Sequence, residues 1–346
     1  IEEMVSSFRK YYRGYGDIIL QANYDDENLG VLDYAITKLG VKSVELKFGQ
    51  ASKGIQGMGR VKNIEDALEF QKKGYLVYPD PSNPEIAENY KQGKGQVFEK
   101  IGKLPMWNED ILVNRVKELR ELGAEHISFK TGPFDPKDLI RILKIASKAG
   151  VDLVTFDGAG GNSPTKMMNE WGIPTVYLES ILYNILKKMD EKGYKLPQIA
   201  IGGGFAMEDQ IYKGLALGAP YINFVAVARA AMAAASVGKQ IGDLIEEGII
   251  PKDYQRFGST KEEIFGDIRE LKLIYGDEAL NISTGAIGVF SYINRISVGL
   301  KQLMALNRKF SLEYVDRSDI FPLTDIAAKV TGLNLIVDLI DYELGI

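Results

Sequence analysis

The stretch Gln198–Met232, QIAIGGGFAMEDQIYKGLALGAPYINFVAVARAAM, constrains the fold most. A short apolar run, Ile199–Ile201, enters three glycines, and a segment with Ala and Leu at helical packing positions follows. A second apolar run, Tyr221–Val227, ends near Arg229. Strand, glycine turn, helix, strand and basic residue in that order make a unit of a parallel α/β protein. Gly202, Gly203 and Gly204 let the backbone come close to an oxyanion, and their N–H groups together with the next helix N-terminus favour a phosphate. Arg229 adds a bidentate contact. A turn that merely reverses the chain would account for the glycines but not for the second strand and its arginine.

The same unit repeats upstream. Strands are expected at Asp17–Asn23, Ser43–Gln50, His126–Lys130 and Asp152–Asp157, and helices at Leu29–Leu39, Asn108–Leu122, Pro136–Ala149 and after Thr175, with glycine at helix ends. This βαβα order predicts a (β/α)8 TIM barrel with six of its strands visible, the first two expected upstream of Ile1. The interval from about 51 to 103 reads as an insertion, with a helix over Ile64–Lys73. From Pro251 onward the pattern is helical, with apolar residues at i, i+3, i+4 and i+7. The expected division is a barrel over 1–250 and a helical C-terminal extension over 251–346 that packs on it.

Strand parity sorts the side chains. One side of each barrel strand packs on helices and the other faces the lumen. Val44, Leu46 and Phe48 fall on one side of their strand and Ser43, Glu45 and Lys47 on the other; Ile127 and Phe129 separate likewise from His126, Ser128 and Lys130. Gln21, Asn23, Lys47, Lys130 and Asp157 thereby converge at the carboxyl ends of four strands, the face where barrel active sites lie. Each has a plainer account, since a strand-end lysine reaches solvent and a strand-end Asp caps a helix. Two lysines and a phosphate site suit flavin mononucleotide, whose ring gains negative charge on reduction.

Composition closes other routes. The chain of 346 residues has a net charge of −5, 45% hydrophobic and 26% charged residues, no Cys and one His. No basic surface for nucleic acid is expected. Thiolate nucleophiles and cysteine-ligated clusters are excluded, and no metal site is expected. The single histidine, His126, starts its strand and cannot serve as a base at the opposite end, as an α-hydroxy-acid oxidase would require. No Rossmann fingerprint appears, so electrons come from a partner. No apolar stretch reaches membrane-spanning length and the N-terminus lacks a signal peptide's apolar core, which suits a cytoplasmic setting.

Four motifs in order, ELKFGQASKG (Glu45–Gly54), HISFKTG (His126–Gly132), DGAGGNSPTKMMNEWGIP (Asp157–Pro174) and the glycine-rich stretch above, resemble the FMN-binding synthase domain of glutamate synthase. The resemblance runs from about Tyr12 to Lys239. It implies a barrel in which 2-oxoglutarate and ammonia give 2-iminoglutarate, reduced to glutamate by hydride from FMN. It assigns catalysis to Lys47, Gln50 and Lys53. Cofactor binding falls to Lys47, Lys130, Asp157, Gly158, Gly160, Gly161, Gly203, Gly204 and Arg229, with Gln21 added by its place on the same face. It implies partners that are absent from this chain: a glutamine amidotransferase, and a ferredoxin-like or NAD(P)H-linked electron donor. A homo-oligomer is also among the expected partners. The family's cluster-binding cysteines are replaced at Ala230–Gly238 by AAMAAASVG, so no iron–sulfur cluster forms there. An N-methylglutamate synthase-like transferase and a non-catalytic phosphate- or flavin-binding barrel are the alternatives.

Overall fold

The computed structural model describes residues 1–48, 59–95, 97–132, 135–159 and 172–345. They form two compact units, Ile1–Gly203 and Gly204–Ile346.

The first unit is built on parallel strands β1 (Ile19–Asn23), β2 (Ser43–Lys47), β6 (His126–Thr131), β7 (Leu153–Asp157) and β8 (Gln198–Gly202), which pair in that order. The parity reading holds residue by residue. Leu20, Ala22, Val44, Leu46, Ile127, Phe129, Val154, Phe156, Ile199 and Ile201 are all buried on one side, where they pack as core. On the other side the register aligns Gln21 with Glu45, Glu45 with Ser128, Asn23 with Lys47, and Lys47 with Lys130.

The intervening helices form where the sequence places them. Glu109–Leu122 starts at Asn108, whose side chain accepts from the Ile111 N–H, and stops at Gly123 with φ +112. Pro136–Ala149 has proline in its first turn, an Asp135 cap and Gly150 at φ +71. Glu2–Tyr11 is helical as well. Arg115 ties three helices together: it donates to Glu27 and Asp33, the latter at 2.6 Å, and lies 3.2 Å from Glu118.

The insertion is more ordered than its sequence suggests. β3 (Gly59–Val61), β5 (Phe98–Gly102) and β4 (Leu76–Tyr78) make an antiparallel sheet in that order. It encloses its own cluster of Val61, Ile64, Ala67, Tyr75, Val77 and Phe98, closed by the helices Ile64–Lys72 and Pro84–Lys91. Two of these strands are three residues long, too short for an alternation to register.

The second unit contains the strand β9 (Phe224–Ala226) and the helices Glu208–Gly218, Arg229–Glu246 and Thr284–Leu306. Gly238, Gly242, Gly285 and Gly288 let the last two helices touch nearly backbone to backbone; a Cβ at Gly288 would collide with the Ala234 carbonyl. The helix Arg229–Glu246 is bound to the C-terminal helices by this small-residue seam.

Candidate functional site

Lys47, Lys130 and Asp157 form a charged group at the carboxyl ends of β2, β6 and β7. Lys47 and Lys130 are register partners on adjacent strands whose backbones lie roughly 4.8 Å apart. Lys130 aligns with Thr155, so Asp157 lies two residues further along β7 on the same face. Its Oδ2 is 3.5 Å from Lys130 Nζ. Burial pushes the Asp157 carboxyl above its usual range, against the opposing pull of Lys130 and Lys47. Burial and the charge of Lys130 both push the Lys47 ammonium below its ordinary value; Asp157, Glu45 and Asp26 pull the other way.

Beneath this group lies a polar layer of Gln21, Glu45 and Ser128, of which the strand pattern singles out only Gln21 as a site candidate. Glu45 is buried, its Oε1 accepting from Gln21 Nε2 at 2.5 Å and its Oε2 from Ser128 Oγ at 3.3 Å. Gln21 thus spends its amide on Glu45, supporting the site from below. The available signal was the inward parity that Glu45 shares with Lys47. Asn23 turns away to cap the helix Tyr24–Asn28, accepting from the Asp25 and Asp26 N–H groups. His126 sits at the start of β6, four residues or about 13 Å from Lys130 along the strand. Its Nδ1 is 3.9 Å from Asp152.

The glycines next to the site have an identifiable task. Gly158 donates its N–H to the Gly202 carbonyl at 2.8 Å, and Thr175 Oγ1 donates to the Gly203 carbonyl at 2.8 Å. A Cβ on Gly158 or Gly203 would run into Thr175 Oγ1. Gly203 and Gly204 also hold φ of +141 and +87, which side chains other than hydrogen rarely allow. The next helix in the chain is Glu208–Gly218. Its first turn carries Glu208 and Asp209, and Gln210 Oε1 already accepts from the Ala206 and Met207 N–H groups. Arg229 is exposed in the first turn of a helix that has neither a side-chain cap nor an acidic residue there, the arrangement an anion prefers. Gln50, Lys53, Gly160 and Gly161 lie outside the described residues.

A cavity of about 550 Å³ opens nearby, lined by Phe48, Trp107, Thr131 and Leu139. Phe48 and Thr131 have the outward parity, so it belongs to the helix side of the sheet. None of Lys47, Lys130 and Asp157 lines it.

The parallel strand order defines an α/β protein of TIM-barrel type. Residues 104–241 match the family described as the conserved region in glutamate synthase, a stretch that spans less than half of the chain. Lys130, Asp157, Gly203, Gly204 and Arg229 fall inside the match, while Gln21, Lys47, Gln50 and Lys53 precede it. A flavocytochrome b2 variant with sulfite bound superposes with a TM-score of 0.50 at 14% identity, covering 99% of this chain and 62% of its own. At that identity the likeness is one of fold. An (S)-mandelate dehydrogenase variant gives 0.46 at 13% identity, covering 92% of this chain and 67% of its own. A lactate oxidase of Pediococcus acidilactici gives 0.45 at 15%, covering 93% and 61%. No curated protein matches the chain in sequence. Among the described residues no helix is long and apolar enough to cross a membrane.

Proposed function

We propose that this chain is an FMN-dependent oxidoreductase of the glutamate synthase type, converting 2-oxoglutarate and ammonia through 2-iminoglutarate to glutamate in a cytoplasmic setting. The observation that carries the reading is the placement of Lys47, Lys130 and Asp157 on one face at the strand ends, in a chain whose residues 104–241 match the glutamate synthase region. The residues suit the cofactor. A reduced flavin ring carries negative charge that Lys47 and Lys130 can balance, and Arg229 opens a helix suited to a phosphate. FMN bound at this face would supply the hydride. Lys130, held by Asp157, orients a substrate carboxylate, and Gly158 and Gly203 keep the backbone close to Thr175. Ammonia and electrons come from partner proteins, an amidotransferase and an electron donor.

Arg229→Ala should weaken FMN binding about tenfold, roughly 1.4 kcal/mol, the low end for losing a charge-assisted hydrogen bond at an exposed residue. Fluorescence titration of the two proteins measures it. Equal affinities would remove Arg229 from the phosphate site.

A further inference from the structure

We infer that Lys47 is a nucleophile that forms an imine with the carbonyl of a 2-oxo acid and passes that carbon to ammonia by exchange. The inference rests on the reading of the substrate given above, and it adds a covalent step on this chain's own residue.

The geometry supplies three requirements of an amine nucleophile. The first is a second cation beside it: Lys130 is its register partner on the neighbouring strand, and two adjacent ammonium groups cannot both hold their protons as firmly as one alone. Partial burial acts in the same direction. The second is a place for the substrate's negative charge, which Lys130 provides on the same face. The third is a proton source: the Asp157 carboxyl lies on the next strand, 3.5 Å from Lys130 Nζ, in surroundings that favour its protonated form. The charged groups facing Lys47 are Lys130 on β6, Asp157 on β7, Glu45 on its own strand and Asp26 on the helix after β1. Glu45 is held by Gln21 and Ser128 in the layer below.

The step balances without an oxidant. The Lys47 amine adds to C2 of the oxo acid with transfer of its proton to the oxygen, the hydroxyl so formed takes a proton from Asp157, and the C–O bond breaks to release water and leave a protonated imine. Ammonia adds to the same carbon. The bond to Lys47 then breaks as the amine recovers the proton that ammonia gives up, the proton taken from Asp157 returns to its carboxylate, and 2-iminoglutarate leaves. The sum is oxo acid plus ammonia to imino acid plus water, with no change of oxidation state. A protonated imine is a far better electrophile than a ketone, which is the gain from the covalent route.

The test is reductive trapping on the full chain without added flavin. The protein is incubated with 2-oxoglutarate and borohydride, and the modified lysines are located by peptide mass spectrometry. Lys47 should carry the reduced adduct while Lys144 and Lys188 on the helical surface stay largely unmodified. The pH midpoint of its labelling should lie below the 10.5 of an ordinary lysine. Lys130→Met removes the neighbouring charge, so the midpoint should rise and labelling at pH 7 should fall; Lys47→Arg should abolish the adduct. Labelling of Lys47 no faster than of the surface lysines, or an adduct centred on Lys130, would overturn the inference. A parallel FMN titration separates the two ideas. Flavin binding without trapping removes the imine alone, whereas trapping without flavin binding removes the flavin reading alone.

Discussion

Arg115→Met is expected to destabilise the first unit by about 3–5 kcal/mol at neutral pH, the scale for breaking a buried ion pair from one side. The Arg115 and Glu27 side chains are only 17% and 8% exposed, and Glu27 Oε2 is buried with no hydrogen-bond partner. Burial already holds the Glu27 carboxyl above its usual range, with Arg115 pulling it back down. The sign follows from linkage: an acid whose folded pKa is raised favours folding when protonated and loses that contribution as pH climbs through the folded value. Without Arg115 the Glu27 pKa rises further, so the deficit relative to the parent should be larger at pH 8 than at pH 5. Urea unfolding at both pH values, followed by hydrogen exchange in the helix Glu109–Leu122, measures it. A deficit below about 1 kcal/mol, or one equal at the two pH values, would mean that Glu27 is relieved by water.

Lys47→Met combined with Lys130→Met should lower the two-electron potential of the flavin-loaded chain by about 30–60 mV, since roughly 30 mV corresponds to 1.4 kcal/mol for such a couple. The two lysines face one site, and between them they hold positive charge whichever one gives up a proton first. Removing only one lets the other take its proton back, so the pair is the meaningful unit. Asp157, left without them, moves further toward its neutral form and adds little negative charge in return. Folding should persist, because Met approaches Lys in volume and needs no charge desolvated. Spectroelectrochemical titration of flavin bound to both proteins reads the shift. An unchanged potential would place the ring away from this face.

The parts of this account that could be read from sequence are those governed by a strict period. Lys47, Lys130 and Asp157 were placed on one face because side chains alternate every second residue and because parallel strands with buried helix-facing sides keep that register. The helix Pro136–Ala149 was legible from its proline and its terminal glycine. Asn23 was not: the parity that pointed it at the site cannot reveal that a strand-end amide finds backbone donors two and three residues ahead. Gln21 and Glu45 were sorted to the right side, but their partnership depends on a cross-strand register that a single strand does not encode. The antiparallel sheet of the insertion was hidden by the brevity of Gly59–Val61 and Leu76–Tyr78. The helical pattern after Pro251 takes in Gly285 and Gly288 but gave no hint that, with Gly238, they form a seam that fixes which helices belong together.

The decisive measurement is anaerobic reoxidation. The FMN-loaded chain is reduced photochemically and mixed with 2-oxoglutarate and ammonium, and the flavin absorbance is followed while glutamate is assayed. The account predicts that the oxidised spectrum returns with one glutamate formed per flavin, and only when both substrates are present; a flavin that stays reduced in their presence would contradict it.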